Sequence, residues 1–182
     1  MWLNIKNKLL QGVLHFVEKI GIWSNNRVNQ NVKDLTEKTS KILEHASDEE
    51  AIATLGALLN KPGKPLTKEE TGRHVAVSVL KKYGVKGEHL LVKALAQDES
   101  YFVRREAAKS LGFIPTRSAV TALHTALTSE AQDSVKMEIV GALGRVGQAD
   151  SITLLQEYAA NGGQALRTCA NNAIQQIKTR AK

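Results

Sequence analysis

The chain has 182 residues, a formal net charge of +7 and one cysteine. This length indicates one modest domain or a short repeat array, and a single cysteine excludes an internal disulfide framework. Hydrophobic residues make up 42% of the sequence, enough for a core, but no apolar run approaches the roughly 18 residues of a membrane span. Since the N-terminus also lacks the apolar stretch of a secretory signal, we expect a cytoplasmic protein, either alone, in a larger complex or peripheral to a membrane.

Residues 1–23 are predicted to form an amphipathic helix, which a polar linker at 24–30 follows. On a helical wheel the apolar side chains fall on one half and the polar ones on the other. Such a face needs a partner, which is the open end of the repeat array, another protein or a membrane surface. The candidate contact residues of this helix are Trp2, Ile5, Leu9, Val13, Phe16 and Ile20.

The remainder, 31–182, is predicted to be an array of helix pairs because its sequence repeats. The segment that begins at Val103 is matched thirty-two residues later by the segment that begins at Val135. Apolar residues lie three and four apart in each half of a repeat, which is the pattern of one helical face. The predicted pairs cover about 31–60, 68–97, 99–129 and 133–160, with a last helix at about 165–179.

Local signals mark where these helices begin and end. Ser47 and Glu50 have the spacing of a capping box, and Asp150 suits an N-cap. Each first helix ends near a glycine, which we expect to close the helix in the left-handed conformation. These glycines are Gly84, Gly112 and Gly144. The prolines within 61–65 predict an inserted loop.

The segment Leu143-Gly144-Arg145-Val146-Gly147 and its continuation to Leu155 resemble the short HEAT-like repeat known from phycobilisome lyases. The resemblance covers about 48–175 and is clearest from residue 99 onwards. It implies an all-α fold, a right-handed α-solenoid of stacked HEAT-like helix pairs, to which the N-terminal amphipathic helix is an addition. It also implies a concave face lined by the second helices, but no single activity.

The second helices supply the candidate partner-binding residues of that concave face. These residues are Ala53, Gly56, Ala57, His89, Lys93, Thr121, His124, Thr125, Thr153 and Gln156. Glycine inside a helix costs about 1 kcal/mol relative to alanine, so Gly56 is predicted to have a packing role. We expect the surface around Gly56 to receive either the N-terminal helix of this chain or a helix of a partner.

Positive charge is concentrated in 61–93, where eight Lys and Arg face three Asp and Glu. The candidate residues for an anionic partner are Lys61, Lys64, Lys81, Lys82 and Lys86. Nucleic-acid binding through this patch is an alternative function, although the second helices present no basic groove and no aromatic side chains for base stacking. A basic column, Arg73, Arg104, Lys136 and Arg167, is expected to bridge stacked repeats.

The sequence shows no recognisable catalytic, cofactor-binding or metal-binding constellation. Its five histidines lack the spacing of ligands to one ion, and Cys169 has no basic partner near it on the same helical face. We therefore predict no cofactor and no enzymatic activity, and interpret the chain as a non-enzymatic interaction or assembly module for a protein partner. A role as accessory subunit of a chromophore-lyase-like complex is a further alternative, implied by the resemblance alone.

Overall fold

The computed structural model describes residues 35–44, 46–61 and 68–182. The N-terminal helix predicted at 1–23, the linker at 24–30, and Lys64 lie outside the described residues. Throughout the described part the chain is helical and has no strand, so the predicted all-α fold of HEAT-like helix pairs is confirmed. None of the helices in this part is long and apolar enough to cross a membrane.

The chain divides into two compact units, one ending at Leu90 and one running from Leu91 to Lys182. The first unit contains α1 (35–43), α2 (Asp48–Leu59), α3 (Lys68–Leu80), a 3-10 segment (Lys81–Gly87) and the first residues of α4 (Glu88–Gln97). The capping box at the start of α2 is present, since the Glu50 backbone N–H donates to Ser47 Oγ and the Ser47 N–H donates to the Glu50 carboxylate. Helix α2 packs against α3.

The second unit continues α4 and adds five further helices. These are α5 (Tyr101–Leu111), α6 (Arg117–Ser129), α7 (Asp133–Val146), α8 (Ala149–Asn161) and α9 (Gln164–Arg180). The first helices of successive repeats pack on one another, α5 on α7 and α7 on α9. Leu111 and Leu143, which the repeat register places in the core, are 0% exposed.

The glycines near the ends of α5 and α7 correct one expectation. Gly112 has φ −64° and Gly144 lies within α7, so neither closes its helix in the left-handed conformation. A Cβ on Gly112 would lie 2.9 Å from Ala142 Cα, and one on Gly144 would lie 3.0 Å from Ala173 Cα. These glycines therefore let neighbouring helices approach closely. Gly84, with φ 52°, does adopt the expected positive φ.

One other expectation about local structure is also wrong. Helix α8 begins two residues earlier than predicted, so that Gln148 is its N-cap and Asp150 lies in its first turn. The packing role predicted for Gly56 is present, since Gly56 is buried and a Cβ there would lie 3.3 Å from Leu90 Cδ1 of α4. The N-terminal helix that we expect as one occupant of the surrounding surface lies outside the described residues. Ala53 and Ala57 are exposed on either side of Gly56.

The single cysteine lies in α9. Cys169 is half-buried, and its Sγ donates to the Met137 carbonyl oxygen of α7 at 3.4 Å. Burial raises the pKa of the Cys169 thiol, and the nearby Glu138 carboxylate raises it further. The thiol is therefore a packing contact between α7 and α9.

Candidate functional site

The candidate residues on the second helices are mostly exposed. Lys93, Thr121, Thr125, Thr153, Gln156 and His89 all lie open to solvent. His124 differs, because it is half-buried and its Nε2 lies 2.8 Å from Ser151 Oγ of α8. Burial lowers the pKa of His124. His124 therefore connects α6 to α8 instead of forming part of an open binding surface.

The basic patch predicted in 61–93 is partly neutralised by acids of α2. Lys86 Nζ lies 2.7 Å from Asp48 and 4.0 Å from Glu49, and the hydrogen bond to Asp48 raises the pKa of Lys86. Lys61 is half-buried, whereas Lys81 and Lys82 are exposed. Among the described residues of the patch, Lys61 is thus partly covered and Lys86 is paired with an acid, which weakens the positive charge predicted from the sequence.

The basic column joins chain segments at the starts of the first helices. Arg73 donates to the Lys61 carbonyl oxygen at 3.1 Å. Arg104 donates to both carboxylate oxygens of Glu130, at 2.8 and 2.9 Å, and to the carbonyl oxygen of Asp98 at 2.9 Å. Since Asp98 follows α4 and Glu130 follows α6, Arg104 ties one predicted helix pair to the next. Arg167, by contrast, is exposed.

A cavity of about 600 Å³ opens in the second unit beside the Arg104–Glu130 ion pair. We call it the α4–α6 cavity, because its lining includes Ala96 and Gln97 of α4 and Ala126 and Ser129 of α6. Thr125, predicted from the sequence, also lines it. The cavity reaches the last residue of each helix, and its apolar lining consists largely of small side chains.

The charges around the α4–α6 cavity favour a cation. Asp98 and Glu130 oppose the single guanidinium of Arg104, which leaves a formal lining charge of −1. The hydrogen bond from Arg104 and backbone N–H donors hold the pKa of Glu130 below its ordinary value, so this carboxylate is ionised at neutral pH. The C-terminal ends of α4 and α6 add partial negative charge at the same place.

A second cavity, of about 370 Å³, lies at the junction of α8 and α9, and we call it the α8–α9 cavity. Its lining includes Lys136, Glu157, Tyr158, Asn161, Gly162 and Gly163. Each of these residues stands thirty-two positions after a residue that lines the α4–α6 cavity. The two cavities therefore share the part of their lining that comes from the end of the second helix and from the basic column, whereas the α4 residues of the first cavity have no counterpart in the second.

Sequence reasoning found Thr125 but missed Asp98, Ser129 and Glu130. The helix positions were chosen from the middle of each second helix, whereas the cavities lie at the helix ends. The repeat offset was the available signal, because it pairs Ser129 with Asn161.

Residues 88–175 match the family model described as HEAT repeats. This part of the chain is therefore similar to HEAT repeats, in agreement with the resemblance found in the sequence. Both cavities lie within the matched region, since their lining residues fall between Val92 and Leu166.

A curated relative is the deoxyhypusine hydroxylase of Drosophila pseudoobscura pseudoobscura, which is 29% identical over 124 residues, or 67% of this chain. The chain spans about 40% of the length of that relative. Among solved structures, an engineered protein determined as a Northeast Structural Genomics Consortium target is 15% identical, with a TM-score of 0.49. That match covers 92% of this chain and 97% of the engineered one.

The similarity to an enzyme corrects the functional interpretation made from the sequence. A chain with no enzymatic activity, serving as an assembly module, was expected because no catalytic constellation is recognisable. The curated relative is instead named as a hydroxylase, which contradicts the expectation of a purely non-enzymatic module. The expectation failed because a repeat pattern records how helices stack and carries no signature of the chemistry built on them.

Proposed function

We propose that this chain is the substrate-binding HEAT-repeat part of an enzyme that acts on a lysine-derived side chain of a protein, as the name of deoxyhypusine hydroxylase describes for the relative. The α4–α6 cavity carries the proposal, because it combines a small-residue apolar lining with a net negative charge. The single cysteine is compatible with a reducing, cytoplasmic location, which we include in the proposal.

The chemistry of the side chain matches the cavity in two respects. Deoxyhypusine is a lysine whose amine carries an aminobutyl chain, so it presents a long aliphatic stem and cationic amines. The methyl groups of Ala96, Ala122 and Ala126 offer apolar contact for such a stem. The Asp98 carboxylate and the C-terminal ends of the two helices attract the cationic amines.

Hydroxylation places an oxygen atom in a C–H bond, which requires an oxidising centre beyond ordinary amino-acid side chains. Over 35–44, 46–61 and 68–182, no group of three or more His, Cys, Asp or Glu residues could hold a metal ion. His124 Nε2 already contacts Ser151 Oγ, and Cys169 Sγ already donates to the Met137 carbonyl oxygen. The described residues do not fit a metal centre, and we derive no catalytic step through one; their proposed role is to bind the substrate.

Binding to labelled peptides tests the proposal directly. We expect the purified chain to bind a peptide with deoxyhypusine more tightly than the same peptide with lysine. A peptide with acetyl-lysine at that position should bind more weakly than both. Fluorescence anisotropy at two salt concentrations measures the order, and added salt should weaken binding of the charged peptides. Equal affinity for the acetylated peptide would contradict the proposal. Mass spectrometry of the same samples reports whether the chain alone adds an oxygen atom.

Two variants locate the binding to the α4–α6 cavity. Ala126→Leu fills the cavity and should weaken binding, whereas Ala160→Leu, at an exposed site on α8 outside both cavities, should not. Asp98→Asn removes one charge and retains an oxygen that accepts from the Ser100 N–H, an interaction of 2.9 Å. Glu99→Gln, the exposed neighbouring acid, is its matched control.

A further inference from the structure

The two cavities share part of their lining in the repeat register but differ in how their basic residue is neutralised. In the α4–α6 cavity, Arg104 is held by both carboxylate oxygens of Glu130. The residue equivalent to Glu130 in the next repeat is Gly162, so Lys136 has no such partner there. Lys136 Nζ lies 3.7 Å from Asp133, a weak contact one helical turn away. The α8–α9 cavity consequently lacks a counterpart of the ion pair that lines the α4–α6 cavity.

Glu157 gives the α8–α9 cavity its unbalanced charge. It takes the place of Thr125, and together with Asp133 it outweighs Lys136, so that the lining carries a formal charge of −1. Glu157 is exposed, and it makes no ion pair within the described parts of the chain. A cationic group entering this cavity therefore finds a solvent-accessible carboxylate without displacing an existing partner.

Tyr158 supplies a fixed wall for the same cavity. Its hydroxyl donates to the Leu127 carbonyl oxygen of α6 at 2.8 Å, which holds the ring between α6 and α8. Burial raises the pKa of Tyr158, and the charge of Glu157 raises it further, so the hydroxyl keeps its proton at neutral pH. The aromatic face and the Glu157 carboxylate together suit an aliphatic side chain with a cationic end.

The repeat geometry sets the distance between the two cavities. Packed helices lie about 8–10 Å apart, so equivalent features of successive repeats have about that separation. A peptide in the polyproline II conformation advances about 3.1 Å per residue, and every third side chain lies on the same face. One repeat thus corresponds to about three residues of a segment in this conformation.

We propose that the α8–α9 cavity is a second cation subsite, which binds a lysine or arginine three positions from the side chain held in the α4–α6 cavity. This inference rests on the proposed function of the α4–α6 cavity. It narrows the substrate class to an extended protein segment with two cationic side chains in that spacing. Both cavities carry net negative lining in a chain whose formal charge is +7, which favours positively charged segments at these two places.

A set of otherwise neutral peptides tests the spacing. Each peptide carries one deoxyhypusine and either alanine or a single lysine placed two or three positions away, on either side. We expect one of the two peptides with a three-residue spacing to bind about two- to fivefold more tightly than the alanine peptide. The peptides with a two-residue spacing should show no such gain.

A charge-removing variant assigns the gain to the second cavity. Glu157→Gln should abolish the gain in affinity from the three-residue spacing and leave the affinity for the alanine peptide unchanged. Glu99→Gln should retain the gain and should also leave the affinity for the alanine peptide unchanged. Circular dichroism of each variant verifies that the helices are retained. If the alanine peptide does not bind, the proposed function fails. If it binds but the spacing or Glu157 makes no difference, only the second subsite is overturned.

Discussion

The first helices of the two units end differently, although each places a fully buried leucine in the same repeat column. Leu80 of α3 and Leu143 of α7 are both 0% exposed. After Leu80 the chain enters the 3-10 segment Lys81–Gly87, where Gly84 has φ 52°. After Leu143 comes Gly144, which remains helical and lies against α9. Gly84 therefore allows the chain to turn after a helix of the first unit, whereas Gly144 allows two helices of the second unit to pack closely.

The shared leucine column should give the largest effects. Leu80→Ala and Leu143→Ala should each lower the free energy of unfolding by about 2–5 kcal/mol, because each leaves a cavity in the core. Val85→Ala, at a side chain that is 66% exposed, should change it by less than about 0.5 kcal/mol. Urea denaturation followed by circular dichroism measures all three. A small effect at Leu80 alone would show that the column is not shared.

The packing glycine should give the next largest effect. Gly144→Ala should lower the free energy of unfolding by about 1–3 kcal/mol, because the added Cβ meets Ala173 of α9. Gly141→Ala, one turn earlier in α7, should raise it by about 0.5–1 kcal/mol, since the nearest side-chain atom is 3.7 Å away and alanine favours the helix. Thermal melts of the two variants should shift in opposite directions; shifts of the same sign would refute the packing explanation.

Gly84 tests the other side of this comparison, the turn that follows α3 in the first unit. Gly84→Ala should destabilise the first unit by about 1–2 kcal/mol through backbone strain at positive φ, as no atom lies within 4 Å of the added Cβ. Hydrogen exchange should show the loss of protection concentrated in α2 and α3. Unchanged exchange across those helices would indicate that the turn tolerates alanine and that the contrast is not one of backbone conformation.

The smallest effect is a pH dependence in the second unit. The folded pKa of His124 lies below its ordinary value of 6.5, so the unfolded chain binds the proton first as the pH falls. The stability linked to His124 is therefore complete above pH 6.5 and decreases as the pH falls through the folded pKa. His124→Gln should remove this decrease, whereas Thr125→Gln at the adjacent exposed site should retain it. Denaturation midpoints measured across this range provide the test.

The fold followed from the sequence because repeats record which side chains face a shared core. The leucine column and the Ser47 capping box depend only on local spacing, and both are present. The role of Gly144 could not be predicted in the same way, since it depends on which helix packs beside it. The cavities were missed for a related reason: Asp98 and Glu130 are separated in sequence and are brought together by their contacts with Arg104. Whether the protein is an enzyme was the least predictable property, because binding proteins and enzymes share the same patterns of helix stacking.

The contact between Cys169 and the Met137 carbonyl makes the only cysteine of the sequence an internal reporter. A thiol with a raised pKa, held against a neighbouring helix, reacts slowly with alkylating or disulfide reagents while α9 stays docked on α7. Its labelling rate in the unmodified protein therefore follows the opening of the last helix. Comparing that rate with global unfolding across denaturant concentrations distinguishes fraying of the terminal repeat from cooperative loss of the second unit.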